Sequence, residues 1–167
     1  MLDWNLILHD GGLLTVAFLT LVLAMTRYKP RLWLNPREVP ADIYAAVPAQ
    51  SPAEKRAFQW LNIPIFFILA FLPLWSTLRF AQLQPEAGFS LLFWHAFLVA
   101  LLPTLGDLLI IDWLLLNTIT PDFVVFSGTK GLPGYKDYGF HLRAHLRLLP
   151  MQVAGAATMA GLALLLS

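Results

Sequence analysis

The chain has 167 residues, of which 58% are hydrophobic and only 13% are charged, and its mean hydropathy is +0.67. Soluble domains carry roughly a quarter charged residues, so this composition is typical of a protein that lies in lipid. The formal net charge of +1 provides no general attraction to nucleic acid, and we expect no nucleic-acid partner. The lack of cysteine excludes disulfides, thiolate metal ligands and cysteine nucleophiles.

Four apolar runs have close to the ~20 residues that a helix needs to cross a bilayer. They cover residues 7–26, 61–78, 89–116 and 148–166. Little sequence remains for a soluble domain, so we expect a single membrane domain over residues 1–167. The predicted fold is an all-α integral membrane protein, a four-transmembrane-helix bundle with a short interfacial helix and a glycine-rich cytoplasmic loop.

The basic residues predict how the helices are oriented. Ten of the eleven Lys and Arg residues fall in two loops, at about residues 27–60 and 117–147, and the positive-inside rule places such loops in the cytoplasm. Basic residues also follow the first apolar run, whereas they precede the apolar core of a signal peptide. We therefore expect an uncleaved first helix and both termini on the non-cytoplasmic side.

The first loop predicts a helix start at Ser51-Pro52-Ala53-Glu54, which has the residue types of a capping box. We expect this helix to lie partly at the membrane interface, to turn into the second span, and to kink at Pro64. In the second loop, Phe-Val-Val-Phe at 123–126 predicts a short β-like or re-entrant piece before a glycine-rich turn. Residues 138–149 predict a short amphipathic helix that enters the fourth span.

Asp107 is the most informative polar residue. If Trp113 marks the membrane rim, Asp107 lies about 9 Å inside the hydrocarbon. Carboxylates at such depth are costly and usually face a bundle interior or a cavity. Asp107 is therefore either a proton relay, ligand anchor or metal ligand, or an aspartate that only fixes helix packing. Asp112, at the rim, is expected to form a structural ion pair with Arg143 or Arg147.

Asp107 and Asp112 are the catalytic candidates of the chain, but their spacing separates them. Residues five apart point about 140° away from each other on a regular α-helix. They can form a catalytic carboxylate pair only if the helix is distorted. Pro103 and Gly106, just before Asp107, indicate a local disturbance of the helix.

His141 and His145 are four residues apart and would share a helix face, a spacing that can bind zinc. No glutamate base lies between them, and Arg143 and Arg147 interleave with them. This pattern also fits an interfacial helix on anionic lipid headgroups. We therefore predict that these four residues bind lipid headgroups, and we expect no bound metal. If a metal does bind, His141 and His145 are the candidate ligands. No particular cofactor is indicated.

A second polar group falls near the predicted outer rim. Its members are His9, Asp10, Arg79, Glu86 and His95. They either converge into a polar site or lie separately among lipid headgroups, and we favour the second interpretation.

Small residues follow one side of the fourth span, at Ala154, Ala157, Thr158 and Gly161. Such residues let helices approach closely. They predict tight packing within the bundle or against another subunit.

One stretch of the chain resembles a group of uncharacterised small polytopic bacterial membrane proteins. The residues that carry the resemblance are Asp112-Trp113-Leu114-Leu115, Thr118-Ile119-Thr120-Pro121, Phe123-Val124-Val125, Gly128-Thr129, Gly131, Tyr135-Lys136-Asp137-Tyr138 and Phe140-His141. The resemblance covers the third span and the second loop, with weaker likeness at the second span. It implies an integral protein of the bacterial inner (cytoplasmic) membrane and brings no activity, cofactor or site residue with it.

Three functions are compatible with these features. We expect a non-catalytic accessory or structural subunit that binds membrane lipids and partner helices, either of other membrane proteins or of a homo-oligomer. One alternative is a membrane-embedded enzyme that acts on a lipid-like substrate through Asp107, with or without Asp112, and the loop histidines. The other is a proton-coupled carrier with Asp107 as its proton site.

Overall fold

In the computed structural model, which describes residues 1–166, every regular element is a helix. The main helices in chain order are α1 (Trp4–Tyr28), α2 (Ala41–Ala46), α3 (Pro52–Leu83), α4 (Phe89–Ile119, of which Phe89–Gly106 is α-helical) and α5 (Tyr138–Leu166). All but α2 are long and apolar enough to cross a membrane. The prediction of an all-α fold with four membrane-spanning helices is confirmed.

The chain divides into two compact units. Unit 1 comprises Met1–Phe18, Phe66–Leu105 and the chain from Leu148 onward. Unit 2 comprises Leu19–Ile65 and Gly106–Arg147. Each long helix therefore contributes one part to each unit, and unit 2 also contains both connecting loops that carry most of the basic residues.

Unit 1 is a four-helix bundle around a small apolar core. The core residues are Leu6 of α1, Phe80 and Ala81 of α3, Ala87 of the following turn, Leu92 of α4, and Ala160 and Ala163 of α5. Burial of these side chains excludes lipid and water alike, and the alanines of α5 let its backbone approach its neighbours closely.

Unit 2 has a second core, which is built mainly by its loops. Its buried residues are Leu34, Val39, Ile43, Phe126 and Tyr135. The Tyr135 hydroxyl accepts a hydrogen bond from the Phe126 amide at 2.9 Å and lies 2.8 Å from Thr129 Oγ1. Both loops are therefore folded against one another rather than free, and α2 belongs to this core through Ile43.

The predicted β-like piece at residues 123–126 is wrong. Asp122–Val124 is a single 3-10 turn, and no strand occurs within residues 1–166. Two side chains of this apolar run, Val124 and Phe126, are buried without a neighbouring strand to cover them. The predicted glycine turn follows it, with Gly128 and Gly131 at φ values of 80° and 87° that favour glycine.

All four long helices extend beyond their apolar runs, and α3 and α5 do so by the most residues. Helix α3 begins at Pro52 as predicted, and Ser51 and Glu54 form the reciprocal capping bonds, at 2.8 Å and 3.2 Å. The helix predicted at 138–149 begins at Tyr138 and enters the fourth span as expected, and the two form one helix, α5. Hydropathy marks only the lipid-compatible part of a helix, whereas backbone hydrogen bonds continue it through polar turns.

Candidate histidine–aspartate site

The site begins with a change of helix type in α4. Its second part, Asp107–Ile119, is a π-helix, in which each hydrogen bond reaches five residues back. At its end, the amide of Thr120 donates to the carbonyl of Leu115 at 2.8 Å. The change follows Pro103, which has no N–H to donate to the preceding turn. The disturbance expected from Pro103 is therefore a widening of the helix.

The π-helix brings the two aspartates together. Because its turns are wider than those of an α-helix, residues five apart lie nearly above one another. Asp107 and Asp112 have this spacing, so the separation of about 140° expected on a regular α-helix does not apply. The helix is therefore distorted in the way that a pair formed by these two carboxylates requires.

Both aspartates face His145 of α5. Its Nε2 lies 2.8 Å from Asp112 Oδ2 and 3.9 Å from Asp107 Oδ2. The other oxygen of Asp112, Oδ1, lies 3.1 Å from His141 Nδ1. The carboxylate of Asp112 thus bridges two imidazoles and fixes the orientation of both. We call Asp107, Asp112, His141 and His145 the histidine–aspartate centre.

The centre is largely enclosed by protein. The exposed fractions of the side chains are 9% for His141, 11% for His145, 12% for Asp112 and 24% for Asp107. The Nδ1 atom of His145 is also buried and has no hydrogen-bond partner among residues 1–166. This nitrogen keeps unused capacity to donate or accept a hydrogen bond.

The arginines of α5 lie away from the centre. His141 and His145 share one face, as predicted, while Arg143 is offset by two residues and points elsewhere. Arg143 pairs with Asp137 at 3.5 Å and its side chain is 58% exposed, and Arg147 is also exposed. The expected arginine partner of Asp112 is therefore replaced by the two histidines, which are buried rather than displayed beside Arg143 and Arg147.

Glu38 of the first loop interacts electrostatically with the centre. Loss of surrounding water raises the pKa of Glu38 even though part of the residue stays exposed, and the negative charge of Asp112 raises it further. His141 and His145 act in the opposite direction. Sequence reasoning missed Glu38, because nothing in its loop indicates which helix it approaches.

Lys136 holds the end of the π-helix. Its ammonium group donates to the carbonyls of Asn117 and Thr118, at 2.6 Å and 3.1 Å, and to Thr120 Oγ1 at 2.9 Å. The side chain of Asn117 in turn donates to the carbonyl of Tyr135 at 3.0 Å. The second loop therefore fixes the element that positions both aspartates, a role that sequence reasoning did not assign to it.

Part of the predicted outer-rim group converges in unit 1. Asp10 is buried, and its Oδ1 lies 2.8 Å from His9 Nδ1 and 3.5 Å from Arg79. His95 is fully buried, where its Nε2 lies 2.9 Å from Ser76 Oγ. Glu86 is exposed in the turn after α3.

The comparisons with known proteins give no match: no protein-family model, no curated protein and no solved structure is significantly similar to this chain. Functional inference therefore depends on the geometry of the side chains.

Proposed function

We propose that this protein is a membrane-embedded enzyme that acts on a lipid-like substrate through the histidine–aspartate centre. The observation that supports the proposal is that one imidazole, His145, is faced by two carboxylates that the π-helix brings into register. A buried aspartate that only fixes helix packing needs one partner and no second carboxylate. Moreover, π-helical segments are frequent at functional sites.

The arrangement suits general acid–base chemistry. Asp112 orients His145 through the 2.8 Å hydrogen bond, as a carboxylate orients a catalytic imidazole, and Asp107 lies beside the same nitrogen. His145 would transfer the proton of the reacting group. Asp107 would stabilise the positive charge that the imidazole gains in that step.

A lipid-like substrate fits the surroundings of the centre. Its residues lie in α4 and α5, two helices that are apolar enough to span a membrane. Arg143 and Arg147 are exposed on the same part of α5, where they would attract an anionic headgroup. With the basic loops in the cytoplasm and both termini outside, the centre would face the inner leaflet of a bacterial cytoplasmic membrane.

The test uses the full chain in lipid nanodiscs, incubated with a total bacterial lipid extract and followed by mass spectrometry. We expect the wild type to convert at least one lipid species, and Asp107→Asn and His145→Gln to slow that conversion by about 100-fold or more. Asp122→Asn is the matched control, because Asp122 is an exposed loop aspartate paired with Lys130.

An unchanged lipid extract with the wild type would contradict the proposal, as would equal conversion by Asp107→Asn. Proton uptake by vesicles that contain the wild type, without lipid conversion, would instead support a proton-coupled carrier.

A non-catalytic accessory subunit is the second candidate, and the surface of α5 favours it. Ala160 and Ala163 belong to the core of unit 1 and Ala156 is buried, whereas Ala154 and Thr158 of the predicted small-residue side are exposed. The close packing that these small residues permit is therefore not used for the core of unit 1. A helix of another subunit, or of a second copy, would fit this side.

A further inference from the structure

We infer that Asp107, Asp112 and His145 together bind one divalent transition-metal ion, with Zn2+ and Mn2+ as the ions of fitting chemistry. This inference deepens the proposed function, since it concerns the same centre, but ion binding and lipid conversion are separate measurements. It differs from the expectation drawn from sequence, in which His141 and His145 were the metal candidates.

The ligand atoms are close enough for one ion. One carboxylate oxygen each from Asp107 and Asp112 and a ring nitrogen of His145 all lie within 4.8 Å of one another. Ligands that each lie about 2.0–2.2 Å from an ion are separated by roughly 3–4 Å. The 3.9 Å between His145 Nε2 and Asp107 Oδ2 meets this condition. The 2.8 Å between His145 Nε2 and Asp112 Oδ2 is a hydrogen bond, and this pair would move apart as an ion replaces the shared proton.

The donor set selects the class of ion. Two carboxylates alone would suit magnesium, calcium or manganese, whereas an imidazole suits zinc and other transition-metal ions, so the mixed donor set fits Zn2+ and Mn2+. Three protein ligands also leave positions open for water or substrate, as in catalytic rather than structural zinc sites. With such an ion bound, His145 Nε2 would be a ligand, and the ion would supply a Lewis acid at the centre in place of proton transfer by His145.

The surroundings hold the ligands in place. His141 binds Asp112 Oδ1 at 3.1 Å, which leaves Oδ2 directed at His145. Such outer partners are usual for metal-binding carboxylates and histidines. His141 is therefore a positioning residue in this inference, because its own contact is to the oxygen that faces away from the ion.

The experiment uses the full chain, purified without a polyhistidine tag and reconstituted in nanodiscs. After dialysis against Zn2+ or Mn2+ alone, the bound ion is counted by elemental mass spectrometry. We expect one ion per wild-type chain, and affinity lowered by more than about tenfold in Asp107→Asn and His145→Gln. The control is His9→Gln, since His9 also pairs with an aspartate, Asp10, but outside the centre.

A second measurement does not depend on variant folding. Pulsed electron paramagnetic resonance of Mn2+ bound to the wild type should show coupling to one histidine nitrogen. Absence of a stoichiometric ion, or an ion without nitrogen coupling, would overturn the inference. Lipid conversion by a wild type that binds no stoichiometric ion would reject the metal site and keep the enzyme, whereas a bound ion without lipid conversion would reject the enzyme and keep the metal site.

Discussion

Gly11 of α1 shows how little space separates this helix from α4. A Cβ atom at Gly11 would collide with the side chain of Leu102 and lie 3.3 Å from the carbonyl of Val99, whereas a Cβ at Gly12 would meet nothing within 4 Å. Leucine at either position gains the same helix propensity over glycine, about 0.8 kcal/mol. The difference between the two substitutions therefore isolates the packing of unit 1.

We expect Gly11→Leu to be less stable than Gly12→Leu by about 1–3 kcal/mol, the usual cost of overpacking. Unfolding of both variants by a denaturing detergent, followed by circular dichroism, measures the difference. Equal midpoints would show that α1 and α4 separate without cost at this position.

The same scale shows what sequence can and cannot predict about the site. Asp107 was identified from sequence because a buried carboxylate is costly wherever it lies. His141 and His145 were identified from their spacing. Their partner was not, because charge alone favoured an arginine for Asp112, and the choice between arginine and histidine depends on which face of α5 packs inwards. That face is set by tertiary contacts.

At the scale of elements, the π-helix of α4 is the feature on which the centre depends, and Lys136 stabilises its end. Thr120, just beyond it, has a φ of 50°, which is unfavourable for a β-branched residue. We expect Lys136→Met to destabilise the chain by roughly 1–2 kcal/mol, since it removes charged hydrogen bonds to carbonyls at a partly exposed site. Lys130→Met is the matched control, because the pair of Lys130 with Asp122 is exposed and contributes about 0–1 kcal/mol.

Hydrogen exchange gives the specific readout for Lys136. Amides at the end of the π-helix, residues 115–120, should exchange faster in Lys136→Met and remain unchanged in Lys130→Met. If both variants protect these amides equally, the π-helix is held by α4 alone and the loop has no positioning role.

The helix type itself could not be predicted from sequence. Pro103 indicated a disturbance of the helix, but a kink, a break and a π-helix can each accommodate a proline that lacks an amide donor. Hydropathy alone understated α3 and α5, since both continue through polar residues, but the capping pattern at Pro52 and the amphipathic pattern from Tyr138 predicted where these helices begin. The helix type depends on the packing of unit 2 around Tyr135 and Asn117, which joins residues far apart in the chain.

At the scale of the whole molecule, the number of spans was predictable because lipid imposes one strong constraint on every residue of a span. Of the four long helices, α5 is covered least by the rest of the protein. Only 17% of its most apolar stretch is buried, against 28–33% for the other three. Large apolar side chains on such a surface suit lipid. The small side chains of Ala154 and Thr158 are better suited to close packing against a helix of another chain.

Cysteine cross-linking tests whether a helix covers this side of α5. Because the chain has no cysteine, a single one introduced at Thr158 can form a disulfide only with another chain. We expect Thr158→Cys to give an oxidised dimer, or an adduct with a partner subunit, in native membranes. Val153→Cys is the control, since Val153 is also exposed on α5 but lies about 140° away from Thr158 around the helix. Cross-linking of both variants to the same extent would indicate random collision. Cross-linking of neither would mean that the small-residue side faces lipid. That result would count against the accessory subunit and leave the enzyme as the remaining proposal.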